Sequence, residues 1–144
     1  MRGFSVIELL IAMAVMAILG SIAVPLYYTY VERARVGQAV AGIGRIDMQI
    51  ERFVANSFRY PDSLADVGAV PVDPWGNPYR FLRITGNGAP GLQGQLRKDR
   101  NLVPINSDYD LYSLGADGDT RPPLTARPSR DDIIRASDGG FVGL

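Results

Sequence analysis

The chain has 144 residues, enough for one compact head and one extended element. Its 15 basic and 15 acidic side chains cancel, which argues against a general nucleic-acid binder, because displacing phosphate counterions needs a basic surplus. The sequence has neither His nor Cys, which excludes imidazole acid–base chemistry, thiol nucleophiles, disulfides and His or thiolate metal sites.

From the amino terminus, Phe4 to Val24 is apolar with a single charge, Glu8. As a helix this run spans roughly 30 Å, the thickness of a bilayer's hydrocarbon core. Arg2 favours keeping the short preceding segment on the cytoplasmic side. Three readings compete: a secretory signal peptide cut near Ser21 and Ala23, a plain single-span anchor, or a leader segment followed by an anchor. Glu8 speaks against the first, since it lies near the start of the apolar stretch.

The third reading rests on Gly3-Phe4-Ser5-Val6-Ile7-Glu8, which resembles the processing site of type IV prepilins and pseudopilins. The resemblance implies cleavage after Gly3 by a prepilin peptidase and N-methylation of the new amino terminus, Phe4. It places Glu8 at the fifth mature position and Pro25 where many members carry a helix-kinking proline. It divides the chain into a leader (1–3), a transmembrane and filament-core half-helix (4–30) and a periplasmic head with the outer half of the helix (31–144). A carboxylate inside a membrane costs a few kcal/mol unless partnered. No basic residue lies within a helical turn of Glu8, so its best partner is the Phe4 amino group of a neighbouring subunit. The alternative is a Glu that snorkels to the interface.

Apolar periodicity continues through Val36, Val40, Ile43, Ile46, Ile50, Phe53 and Val54, opposite Arg35, Gln38, Arg45, Asp47, Gln49 and Arg52. The spacing predicts one helix over about 5–56, roughly 75–80 Å long, apolar all round in its inner half and amphipathic in its outer half. Pro25 should bend or locally melt it. Tyr27, Tyr28 and Tyr30 suit a membrane interface or subunit contacts.

Beyond Asn56 the chain breaks into short segments. Tyr60 to Val67 reads as a turn and a short helix capped by Asp62 or Ser63. Pro71 to Tyr79 is turn-dense around Trp75, and Tyr79 to Ile84 reads as a strand. Gly86 to Ser107 reads as a long loop in which Arg97, Lys98 and Arg100 form a solvated cluster, or else meet an acidic patch of the next subunit. Asp108 to Leu114 alternates as a second strand. A Pro- and Asp-rich loop follows, then a helical or extended piece over Asp131 to Ala136 and a Gly-rich end.

Val72-Asp73-Pro74-Trp75-Gly76-Asn77-Pro78-Tyr79, with Asp110-Leu111-Tyr112-Ser113-Leu114-Gly115-Ala116-Asp117-Gly118, resembles the major pseudopilin of type II secretion systems. The resemblance implies an α+β, pilin-like fold: the long N-terminal helix packed on a small C-terminal antiparallel β-sheet with long loops. It also implies calcium in the C-terminal loop, with Leu114 and Asp117 at matching positions and Asp131 or Asp132 as the returning carboxylate. Asp138 is a further candidate. Calcium accepts six to eight oxygens in irregular geometry, and closing a loop of about a dozen residues with a metal constrains it as a disulfide would. The bland alternative is that these Asp residues cap turns and pair with Arg121, Arg127, Arg130 and Arg135. After Gly118 this chain departs from the family's Gly- and Glu-rich segment.

No constellation in the sequence suggests an enzyme. The Gly-rich stretches lack a phosphate-loop Lys, and no Ser has a His base. The expected function is a structural subunit of a type II secretion pseudopilus, a helical homo-oligomer that helps move folded proteins across the outer membrane. Its implied partners are the prepilin peptidase, minor pseudopilins, an inner-membrane assembly platform and an ATPase. Before assembly it would sit in the inner membrane with a periplasmic head. Two alternatives are a surface type IV pilus subunit, for adhesion, motility or DNA uptake, and a monomeric membrane-anchored binding module.

Overall fold

The computed structural model describes residues 4–85 and 94–144. The leader (1–3) and the first part of the long loop (86–93) lie outside the described residues. Helix α1 (Val6–Ser57) is a single element of 52 residues, within a residue of the bounds set by its apolar spacing. It stays helical through Pro25, so the expected alternative of local melting there does not occur. Phe58, which adopts the left-handed conformation at φ 54°, ends it, and its amide donates to the Val54 carbonyl at 2.8 Å.

The chain divides into two compact units, Met1–Ala34 and Arg35–Leu144. In the first, α1 exposes its side chains on every face: Phe4, Val6, Ile7, Leu10, Met16 and Leu26 are all exposed. A helix that is apolar all round and unburied is built for lipid or for other helices. Its length and composition suffice to cross a membrane.

The second unit holds a four-stranded antiparallel sheet in the order β1 (Arg80–Arg83), β2 (Tyr109–Ser113), β3 (Ile133–Ala136), β4 (Phe141–Gly143). Phe81 pairs with Leu111, Tyr112 with Ile134 and Arg135 with Val142. The piece whose state the sequence left open is therefore a strand, and the Gly-rich end contains another. The 3-10 turn Leu64–Val67 follows Ser63 as cap.

Side chains alternate across a strand, and β2 uses both faces. Tyr109 and Leu111 join Ala39, Ile43, Ile46 and Ile50 of α1, with Tyr79 and Ile133, in the core. Asp110 and Tyr112 face the other way. Against that second face lies Arg97, which is only 2% exposed. This corrects the reading of a solvated basic cluster: Lys98 is half-buried and Arg100 exposed, but Arg97 is interior.

Candidate functional site

Two places carry the expected chemistry, one in each unit. In the first unit, Glu8 lies in the opening turn of α1, and its Oε2 accepts the Ser5 amide at 2.8 Å. The Ser5 hydroxyl in turn accepts the Glu8 amide at 3.3 Å. This is a capping box, which satisfies two orphan donors reciprocally at the helix start. The Ser-x-x-Glu spacing was visible in the sequence, but the functional reading of Glu8 obscured it. Phe4 stands just ahead, 90% exposed. Pro25 leaves its own carbonyl to the Thr29 hydroxyl at 3.0 Å.

In the second unit the two head motifs interlock. Asp73 is buried; its Oδ1 accepts the amides of Trp75 at 3.1 Å and Asn77 at 2.7 Å. Its Oδ2 accepts the Ser113 hydroxyl at 2.6 Å. The Asn77 side-chain amide donates to the Gly115 carbonyl at 3.1 Å. The turn-dense segment thus holds the end of β2 and the loop after it by buried polar contacts, which cost most when left unmade.

Of the expected calcium residues, Asp131 returns to the loop that carries Leu114 and Asp117, while Asp132 turns away from it. Leu114 is buried at the end of β2. Asp117 accepts the Asp119 amide on Oδ1 at 2.9 Å, which closes a local turn. Asp131 folds back on the loop, where its Oδ2 accepts the amides of Ala116 at 2.8 Å and Asp117 at 3.0 Å. Gly115, at φ 65°, is the residue this approach needs, because a Cβ there would lie 2.6 Å from the Asp131 carboxylate. Asp132 turns elsewhere. Its Oδ2 pairs with the Arg97 guanidinium and accepts the Thr120 hydroxyl at 2.5 Å. Burial pushes the Asp132 carboxyl up, against the pull of Thr120 and Arg97. Asp138 is spent on Ser107, whose amide and hydroxyl it accepts at 2.7 and 2.8 Å.

Calcium needs six to eight oxygens around one point. Among the described residues no three acidic side chains form such a group. One oxygen each of Asp117, Asp131 and Asp132 is taken by N–H or O–H donors or a guanidinium, and that cation would repel a second one on Asp132. As arranged, this donor set does not fit calcium.

A second buried cation, Arg135, ties α1 to the sheet, and its burial had no local signal in the sequence. Arg135 is 4% exposed, makes a two-pronged pair with Asp108 at 2.8 Å on both nitrogens, and reaches Asp47 of α1 at 2.7 Å. Its guanidinium lies 4.0 Å from the Tyr109 ring centre, and the Tyr109 hydroxyl donates to Asp47. Burial, reinforced by that bond, holds the Tyr109 hydroxyl far above its ordinary range.

Residues 1–24 match the family described as the prokaryotic N-terminal methylation motif. The chain is 29% identical to the type II secretion system core protein G of Pseudomonas aeruginosa, over 81% of this chain and 84% of that protein. It is 25% identical to the protein of the same name from Aeromonas hydrophila, over 81% and 84%. It is also 30% identical to the type IV major pilin protein PilA of Myxococcus xanthus, over 88% of this chain and 58% of the pilin. No solved structure matches the chain.

Proposed function

The chain belongs to the type IV pilin-like superfamily, and on that premise we propose that it is the repeating subunit of a type II secretion pseudopilus. The observation that carries the proposal is the joint one: an apolar half-helix exposed on every face, continuous with a head that resembles core protein G over most of its length. The subunit is membrane-anchored through that half-helix. A prepilin peptidase would cut after Gly3 and methylate Phe4. The membrane would be the inner one, with the head in the periplasm, and a platform, an ATPase and minor pseudopilins would act with it.

The work such a subunit does is geometric. Packing many apolar half-helices side by side removes their surface from lipid and water and builds a filament core, as membrane helices pack by van der Waals contact. The Phe4 amino group of one subunit then neutralises Glu8 of the next. The heads form the outer layer. No catalytic step is required of the chain.

The likeness to a Myxococcus major pilin favours a second reading, a surface pilus subunit. Deleting the gene separates the two. Loss of exported folded proteins from the medium, with surface pili intact under the electron microscope, is the expected result. Loss of surface pili with normal export would overturn the secretion assignment.

A further inference from the structure

The C-terminal loop of this head contains a cation, and that cation is part of the chain. Arg97 enters from the loop between β1 and β2 and is almost wholly buried. One guanidinium nitrogen donates to the Thr120 hydroxyl at 2.6 Å and to the Arg121 carbonyl at 2.8 Å. The other pairs with the Asp132 carboxylate. The planar group lies 4.3 Å from the Tyr112 ring centre, on the β2 face away from α1. The Arg97 amide is held by Asp110 at 2.9 Å.

The neighbouring backbone runs alongside. The Lys98 amide donates to the Pro122 carbonyl at 3.1 Å, and the Leu124 amide to the Lys98 carbonyl at 2.9 Å. Ser129 closes the far side by accepting the Arg121 amide at 2.8 Å and donating to its carbonyl at 2.7 Å. So a single guanidinium joins the start of the loop (Thr120, Arg121), its return (Asp132) and the strand beneath it (Tyr112).

We infer that the Arg97 guanidinium is the built-in cation that closes the C-terminal loop, so that loop closure in this chain needs no metal. The donor chemistry explains why. A metal closing a loop gathers a returning carboxylate, a hydroxyl or side-chain oxygen, and backbone carbonyls around one positive centre. Arg97 gathers these three kinds of oxygen with directional N–H donors. Arginine suits the role because it stays charged when buried and presents several donors in a plane. The two buried polar atoms of this cluster without partners, Arg97 Nε and Asp132 Oδ1, belong to the same ion pair. They would meet if the fork turned slightly into a two-pronged contact. The inference goes beyond the filament reading and does not depend on it, because it concerns the fold of each head.

The test is thermal unfolding of the full chain in detergent micelles, followed by circular dichroism, with chelator and with millimolar calcium. The wild-type protein is expected to melt at the same temperature in both. Arg97→Met and Asp132→Leu should each lower the melting temperature by about 10 °C or more, since each strands a buried charge. The double variant should recover most of that loss, because an apolar pair of similar volume replaces both charges. A rise of several degrees on adding calcium to the wild type, or a fall on chelation, overturns the proposal. So does a double variant whose loss is the sum of the single losses. If a single variant fails to fold, the wild-type comparison still decides.

Discussion

At Gly42 the outer half of α1 has no side chain because Tyr79 occupies the space. A Cβ there would overlap the Tyr79 hydroxyl and lie 2.9 Å from its ring carbon Cζ. Tyr79 closes the turn-dense motif and is buried in the core, so moving it disturbs packing. Gly42→Ala should destabilise the head by about 1–3 kcal/mol through overpacking, seen as a melting temperature lower by about 5–15 °C. Gly44→Ala is the control. Nothing lies within 4 Å of its Cβ position, and the gain in helix propensity should leave stability unchanged or slightly raised. Asp138 makes a second residue-scale case. The Ser107 amide, then its hydroxyl, hold this exposed carboxyl below the usual value of 3.8. A depressed folded value means the stabilisation is present above the unfolded pKa and is lost as pH falls through the folded one. Asp138→Asn should therefore melt below the wild type at neutral pH and converge with it under acid. A constant gap down to strongly acidic pH would show that the carboxylate's charge is not the cause. Buried Asp110 has the opposite sign: burial raises it, so acidification relieves a cost there rather than adding one.

Elements differ in how far the sequence reveals them, and the reason is the range of the forces that hold them. The bounds of α1 were readable to a residue because its stripe recurs at three/four spacing and each residue reports on its own face. β1 and β2 were readable from their aromatic residues and, in β2, from the alternation of polar and apolar positions. β4 was missed because three residues, one of them Gly143, carry no period. β3 was ambiguous because Asp131-Asp132 precede two adjacent isoleucines rather than an alternation. The interlock of Asp73 with Ser113 and the burial of Arg97 were not readable at all. Their partners lie 40, 23 and 35 residues away in the chain, and a lone charge in a loop gives no local sign of a distant counter-charge. The donors that meet the candidate calcium acids were hidden for the same reason: the acids were counted correctly, but their partners were not visible. The tie between α1 and β2 through Asp47 is equally non-local, and a double-mutant cycle measures it. Tyr109→Phe should cost about 1 kcal/mol by removing one hydrogen bond. Asp47→Ala should cost about 2–3 kcal/mol, because it strands both the Tyr109 hydroxyl and one edge of Arg135. The double variant should cost less than the sum by about 0.5–1 kcal/mol. Strict additivity in urea unfolding would mean the two side chains do not act through one bond.

For the whole molecule the central question is what Glu8 does, because it has a sufficient local job and a proposed collective one. Its carboxylate caps the start of α1 by accepting the Ser5 amide. Capping alone would justify a Glu at this position, with no filament involved. Glutamine separates the two roles. It keeps an oxygen for the Ser5 amide and is an accepted residue in a capping box, but it carries no charge for a neighbour's amino group. If Glu8 only caps, Glu8→Gln should insert, fold and assemble as the wild type does. If it also neutralises Phe4 of the next subunit, the monomer should be unaffected while polymerisation suffers. The lost pair sits in a low-dielectric core, where an unpartnered charge costs a few kcal/mol. At 1.4 kcal/mol per tenfold, the concentration needed for assembly should rise by about a hundredfold or more. The expected outcome is therefore a folded, membrane-inserted Glu8→Gln subunit with a wild-type melting temperature and no filaments by electron microscopy. Filaments of normal abundance would reduce Glu8 to a cap. An unfolded or uninserted variant would place its role in the single helix rather than between helices.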